Sequence, residues 1–308
     1  GDNIDSIRSG TGADIINAGA GNDIINLTSG SNTVDAGTGV DTINMGTGTD
    51  NISGGAGNDI INAGASDLLA NDIIDGGEGT DTLTFAATSY ADESVFGGVT
   101  NVEKIKPIGG DSTGQALTLN GNLDATIFDL SDDSNATLTF NAGYTNATTV
   151  ELGLDTESNT DSVINGGTGA ANIDLTVTAL DADSIDGTTT ITGGTGTDTI
   201  SITNFATGGT ATLTNATYID VVNVLDYING ADVTLTLGTN GAVSTPLTIN
   251  ATTLDAGEIL TVAGAASLGS VTINAGLGAD ILTGGNVNDV ISGGGGADTI
   301  DGRENSAT

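Results

Sequence analysis

Residues Ser9-Gly10-Thr11-Gly12-Ala13-Asp14-Ile15-Ile16-Asn17 are followed by Ala18-Gly19-Ala20-Gly21-Asn22-Asp23-Ile24-Ile25-Asn26, and the phrase continues at a step of nine. The step gives Asp5, Asp14, Asp23, Asn32, Asp41, Asp50 and Asp59. A four-residue insertion delays the next acid to Asp72, and Asp81 follows nine later. Two residues after each stands an aliphatic side chain: Ile7, Ile16, Ile25, Val34, Ile43, Ile52, Ile61, Ile74 and Leu83. Glycines ahead of each acid allow a tight turn, partly through positive φ. The residues after it suit a very short strand that sends its aliphatic side chain inward. One nonapeptide is then half of a coil, and successive coils stack as parallel strands.

Alternate repeats share an edge of such a stack. Asp5, Asp23, Asp41 and Asp59 fall on one edge, and Asp14, Asn32, Asp50 and Asp72 on the other. Carboxylates stacked at strand spacing, roughly 5 Å apart, repel unless something positive lies between them. Oxygen ligands and turn carbonyls suit a hard divalent cation, and calcium is the natural choice.

From Asp5 to Thr84 the chain resembles the RTX (repeats-in-toxin) family of calcium-binding nonapeptide repeats. The resemblance returns between Asn274 and Gly302, as Gly278-Ala279-Asp280-Ile281-Leu282, Asn288-Asp289-Val290-Ile291 and Gly296-Ala297-Asp298-Thr299-Ile300. It implies a parallel β-roll with several calcium ions between neighbouring turns, in a secreted bacterial protein. The metal candidates are Asp5, Asp14, Asp23, Asp41, Asp50, Asp59, Asp72, Asp81, Asp198, Asp280, Asp289 and Asp298. There are departures. Ser9, Ala18, Ala36 and Met45 replace the first glycine, Thr28 a second one, and Asn32 an aspartate. Asp67 and Asp72 flank the insertion and make that turn irregular.

Composition narrows the field. The 308 residues carry 40 acids against 4 bases, a formal net charge of −36. The bases are Arg8, Lys104, Lys106 and Arg303, so nothing in the chain makes a cationic surface for nucleic acid. A charge this lopsided usually signals disorder. Here 37% of residues are apolar, and they fall in phase. With no cysteine there is neither a disulfide framework nor a thiolate metal site. No apolar run reaches the length of a membrane span, and membrane insertion is not expected. Ordering nine glycine-rich residues costs more backbone entropy than one buried aliphatic returns. The arms are therefore expected to be largely unfolded without calcium and to fold as it binds.

The texture changes near Thr84. Phe85, Tyr90, Phe96-Gly97-Gly98-Val99 and Asn101-Val102-Glu103-Lys104-Ile105 follow a last glycine-rich turn. This order resembles segments of large bacterial surface-layer proteins and related adhesins. All nine aromatics lie between Phe85 and Tyr227, which implies a core of another kind there. From Ala116 to about Ile273 alternating runs such as Val233-Thr234-Leu235-Thr236-Leu237 predict strand after strand. The strands expected are 116–119, 126–130, 136–140, 148–152, 173–177, 189–192, 199–202, 211–213, 219–224, 233–237, 247–249, 259–262 and 271–273. Their spacing suits a β-helix or a sandwich. Gly193-Gly194-Thr195-Gly196-Thr197-Asp198-Thr199-Ile200 is a full copy of the repeat, whereas Gly166-Gly167-Thr168-Gly169-Ala170-Ala171 lacks the acid.

The expected fold is all-β, a right-handed parallel β-roll or β-helix (solenoid), with RTX β-roll arms flanking a less regular β-rich middle. The expected segments are 1–84, 85–273, 274–302 and a tail, 303–308. The residue after each acid, such as Ile15, Ile24, Ile60 or Ile73, faces away from the core. It either meets a covering segment or molecule, or serves β-propensity on an exposed face.

Without histidine or cysteine there is no Ser-His-Asp or Cys-His machinery and no histidine metal site. Carboxylate pairs for sugar hydrolysis would be Asp132-Asp133, Asp92-Glu93 or Asp155 with Glu157, but all sit beside turn residues and read as solvated acids. Asp181, Asp183 and Asp186 read as solvated or ion-binding acids. No catalytic residue is assigned, and an enzyme is not expected.

The expectation is a calcium-dependent extracellular structural protein at the bacterial cell surface. It self-assembles into a surface layer, sheath or filament through calcium-bridged contacts, with cell-surface polysaccharide as a further partner. The alternative is a stalk or repeat module of a large secreted RTX adhesin. A third reading is a non-catalytic module of a secreted polysaccharide-modifying enzyme.

Overall fold

A strand of three residues buries one side chain and exposes two, so a rung built from nonapeptides is thin and must be repeated to enclose a core. The computed structural model describes residues 1–64, 66–86, 93–108, 115–119, 123–130, 136–140, 148–152, 163–166, 175–179, 185, 189–194, 196–203, 209–226, 232–240, 246–264, 267 and 269–303. The chain divides into two compact units, Gly1–Asp133 and Ser134–Thr308.

In the first unit the chain shuttles between two parallel sheets. One is ordered β1 (Ser6–Arg8), β3 (Ile24–Asn26), β5 (Thr42–Asn44), β7 (Ile60–Ala63), β9 (Thr82–Ala86), β11 (Lys104–Ile108) and β13 (Ile127–Leu130). The other is ordered β10 (Val99–Thr100), β8 (Ile73–Glu78), β6 (Asn51–Ala56), β4 (Thr33–Thr38) and β2 (Ile15–Ala20). The register copies the sequence period. Ile7 pairs with Ile25, Ile25 with Ile43, Ile43 with Ile61 and Ile61 with Leu83. The last step absorbs the insertion without a change of face. Ile25, Ile43, Ile52, Ile61, Ile74 and Leu83 are fully buried.

The two sheets differ in strand length for a reason visible at glycine. In the β2–β8 sheet Gly19, Gly37, Gly55 and Gly77 pair directly, with φ between 105° and 109°. A Cβ on Gly37, Gly55 or Gly77 would run into the glycine carbonyl of the preceding coil. Only glycine lets the strand run on into the turn there. Side-chain amides add a second ladder. Asn44 Nδ2 donates to Asn26 Oδ1 at 3.0 Å, Asn62 Nδ2 to Asn44 Oδ1 at 2.9 Å, and Thr84 Oγ1 to Asn62 Oδ1 at 2.6 Å.

The parallel ladder continues past Thr84, because β9 pairs with β11 over five residues. A short 3-10 turn, Glu93–Phe96, brings Phe96 edge-on to Phe85 with ring centroids 5.5 Å apart. Lys104 and Lys106 both reach Asp129, at 2.9 and 3.5 Å. β12 (Gln115–Leu119) also belongs to this part of the chain.

The second unit is built the same way. One sheet runs β15 (Thr148–Leu152), β17 (Leu175–Ala179), β19 (Thr199–Thr203), β22 (Val221–Leu225), β24 (Leu247–Asn250), β26 (Val271–Asn274) and β28 (Val290–Ser292). β14 (Ala136–Phe140), β16 (Val163–Asn165), β18 (Thr190–Thr192) and β21 (Ala216–Thr217) follow one another in a second sheet. A third holds β20 (Gly209–Leu213), β23 (Val233–Leu237), β25 (Leu260–Ala263), β27 (Ile281–Thr283) and β29 (Thr299–Asp301). Leucine, isoleucine and valine alternate inward in Val233, Leu235, Leu237, Val262 and Ile273.

Both units are β-solenoids with parallel strands, and no α-helix occurs among the described residues. Three sequence expectations need correction. The strand expected at 173–177 lies at Leu175–Ala179. That at 219–224 starts later, at Val221, because Tyr218 takes a φ of 58° and breaks the extended run. Val163–Asn165 and Ala216–Thr217 were not foreseen, since two or three residues carry no readable alternation.

Candidate metal centre

Most of the repeat acids send their backbone N–H along the stack to a side-chain oxygen of the acid or amide in the next coil. Asp5 N donates to Asp23 Oδ1 at 2.7 Å, Asp23 N to Asp41 Oδ1 at 2.6 Å, Asp41 N to Asp59 Oδ1 at 2.8 Å and Asp59 N to Asp81 Oδ1 at 2.7 Å. On the opposite edge Asp14 N donates to Asn32 Oδ1, Asn32 N to Asp50 Oδ1 and Asp50 N to Asp72 Oδ1, at 3.2, 2.9 and 2.9 Å. The two edges separate as the alternation of repeats requires. One carboxylate oxygen of each acid thus has a structural task that involves no metal.

In several of these acids the other oxygen has none. Oδ2 of Asp23, Asp41, Asp50, Asp59, Asp81, Asp280 and Asp289 is buried and accepts no hydrogen bond. A buried, ionised oxygen without a donor is costly and calls for a cation or an ordered water. Its surroundings are acceptors. A Cβ on Gly54 would stand 2.6 Å from Asp59 Oδ2 and against the Gly76 carbonyl, and one on Gly76 would stand 2.8 Å from Asp81 Oδ2. The missing side chains leave a space bordered by carboxylate and carbonyl oxygens. No three acidic side chains converge among the described residues. A bound ion here would draw several ligands from the backbone, as calcium does with its six to eight oxygens.

Electrostatics point the same way. Burial pushes the Asp59 carboxyl up to about 6, the Asp41 N–H partly offsets this, and the Asp41 and Asp81 carboxylates add to it. Burial likewise raises Asp41, Asp72, Asp81 and Asp280, with a neighbouring carboxylate contributing in each case. A divalent cation would remove both causes.

The other expected ligands are placed differently. Asp72 Oδ2 accepts from Leu69 N at 2.7 Å, so the inserted turn satisfies it internally. Asp14 Oδ2 accepts from Gly10 N at 3.1 Å, and Asp198 Oδ2 from Gly194 N at 2.7 Å. Asp5 keeps a side chain 44% exposed. Asp280 N donates to Asp298 Oδ1 at 3.0 Å, and Asp298 Oδ2 lies where a Cβ on Gly293 would collide with it. Asn32 directs its amide nitrogen to Gly30 O at 3.3 Å and to Asp50 Oδ1 at 2.9 Å. It brings a neutral amide to an edge where the other coils bring a carboxylate.

Two acids of the ladder were missed in the sequence. Glu103 Oε2 accepts from Asp81 N at 2.8 Å, and Asp220 Oδ2 from Asp198 N at 2.9 Å. Each lies 22 residues beyond its partner, the same step that separates Asp59 from Asp81. A search at that longer period would have found both. Asp92, Asp132, Asp133, Asp155, Glu157, Asp181, Asp183 and Asp186 lie outside the described residues, as do 167–171 and 304–308.

The family model for the RTX calcium-binding nonapeptide repeat matches residues 1–34, 35–67, 69–87, 266–291 and 274–306. No curated protein and no solved structure matches the chain. Proteins with these repeats are typically secreted, and their solenoids are typically structural. Among the described residues no helix is long and apolar enough to cross a membrane. In period, in stacked turns and in unpartnered carboxylate oxygens, the two arms of this chain carry the RTX calcium-binding nonapeptide repeat, a motif whose ligand is calcium.

Proposed function

We propose that this chain is a calcium-dependent extracellular structural protein that assembles with copies of itself into a surface layer, sheath or filament on a bacterial cell. The observation that carries this reading is the row of buried, unpartnered Oδ2 atoms at Asp23, Asp41, Asp59 and Asp81 on one edge, with Asp50 on the other. Calcium on these oxygens turns two self-repelling edges into rigid ones. Asp280 and Asp289 would do the same in the second unit. Asp5, Asp14, Asp72, Asp198 and Asp298 are the weaker ligands, because their oxygens are otherwise engaged or open to solvent.

Two further features support assembly. Copies carrying a formal charge of −36 repel until cations neutralise them, so calcium bridges between chains are the natural contact. The residues after the acids also leave apolar side chains outward, with Ile15 88%, Ile73 53% and Val290 66% exposed. Cell-surface polysaccharide would be the anchoring partner.

Electron microscopy of the full chain, with calcium and with excess chelator, tests this. Ordered sheets or fibres that appear only with calcium are expected. Dispersed rods with calcium would replace the reading by that of an adhesin stalk.

A further inference from the structure

The second unit holds a pair of acids that the nonapeptide ladder does not use. Glu258 lies in the loop between β24 and β25, before the first repeat of the second arm, and is 3% exposed. Asp226 follows β22 directly, one coil earlier. Neither lies within a segment that the repeat family matches. Their two loops are locked to each other. Asp226 N donates to Thr253 Oγ1 at 3.1 Å, Thr253 Oγ1 donates to Val224 O at 3.2 Å, and Ile259 N donates to Asp232 Oδ1 at 2.8 Å. On the far side Leu277 N donates to Leu254 O at 3.0 Å. The Glu258 side chain therefore sits between coils tied to each other by these hydrogen bonds.

One Glu258 oxygen closes its own turn, with Oε2 accepting from Asp255 N at 2.7 Å. The other, Oε1, is buried and accepts nothing, and the same is true of Asp226 Oδ1. The Glu258 carboxyl is raised by burial first, then by the charge and the side-chain contact of Asp226, with Asp255 adding to it. Apart from the Asp255 N–H on Oε2, the groups that act on it are carboxylates, Asp226 and Asp255. The only base of residues 134–308 is Arg303, and its Nη1 donates to Asn286 Oδ1 at 3.2 Å.

We propose that Asp226 and Glu258 form a second kind of calcium-type divalent-cation site, set between two coils that carry no nonapeptide. Two facing carboxylates, each with one buried oxygen that has no donor, need either a shared proton or a cation between them. A hard cation fits because all the donor atoms are oxygens on rigid turns. The site fastens the irregular rung of Asp226 to the rung of Glu258, on which the first repeat turn of the second arm stacks. It extends ionic cross-linking beyond the repeats.

Counting calcium ions on the intact chain by native mass spectrometry tests this. The chain is compared with an Asp226→Asn/Glu258→Gln variant and with an Asp41→Asn/Asp59→Asn variant. The expected result is one ion fewer in the Asp226/Glu258 variant, with circular dichroism in calcium unchanged. An equal count in wild type and variant overturns the proposal and leaves a shared proton. The Asp41/Asp59 variant reports on the repeats separately, so either site can be absent while the other is present. Should the first variant fail to fold, long-wavelength anomalous diffraction from wild-type crystals grown in calcium decides. A peak about 2.3–2.6 Å from both carboxylates supports the site, and no peak there overturns it.

Discussion

Asp41 donates its backbone N–H to Asp59 Oδ1 at 2.8 Å, while Asp59 Oδ2, buried next to Gly54, accepts nothing. One side chain therefore has two separable tasks. The first oxygen fastens one coil to the next and depends only on the backbone. The second is left short of a partner in a space lined by other oxygens. The fold supplies the first interaction, and the proposed calcium would complete the second.

Asp59→Asn separates these tasks. The amide oxygen can still accept from Asp41 N, and the amide nitrogen can turn to a turn carbonyl, as Asn32 does with Gly30 O. Calcium-driven folding should then need about tenfold more calcium, equivalent to ~1.4 kcal/mol. The metal-free chain should become more stable, because a raised, repelling carboxylate is gone. Calcium titrations and the residual β signal in chelator measure the two effects, and an unchanged calcium midpoint would contradict the assignment.

Glycine at position 55 is required by the backbone. Its φ is 105°, and a Cβ would collide with the Gly37 carbonyl. Gly55→Ala should lower stability in calcium by about 1–3 kcal/mol. Gly10 has nothing within 4 Å of its Cβ position and no positive φ. Gly10→Ala should stay within ~0.5 kcal/mol of wild type. Chemical unfolding of both variants in calcium checks the contrast, and similar losses would contradict it.

The raised acids set a pH dependence. Asp59 titrates at about 6 in the folded chain, against 3.8 for an ordinary aspartate. Across that window the folded, metal-free chain holds more protons than the unfolded one, so its stability falls as pH rises. Asp41, Asp81 and Asp280 shift in the same direction. In chelator the residual β signal in circular dichroism should be larger near about pH 4 than near about pH 7. In calcium the order should reverse, since protons and calcium compete for the same oxygens. Metal-free stability that rises across the window would contradict this.

The coil was legible because its period is strict. Nine residues with a fixed offset between Asp and Ile dictate the register of Ile7, Ile25, Ile43 and Ile61. The irregular rungs kept the parallel ladder but lost the nine-residue step, so Glu103 and Asp220 are legible only at the 22-residue step that already separates Asp59 from Asp81. Asp226 and Glu258 were invisible for a related reason. They meet across two coils of unequal length, and no local spacing encodes such a meeting. Nor could the sequence divide the ladder acids into those with a free oxygen, such as Asp59, and those closed by their own turn, such as Asp72.

Far-ultraviolet circular dichroism of the full chain, taken from excess chelator into excess calcium, tests the central claim most directly. The account expects weak β signal in chelator and a cooperative rise to a full β spectrum as calcium is added, reversed when calcium is removed. A β spectrum of the same strength in chelator and in calcium would contradict it.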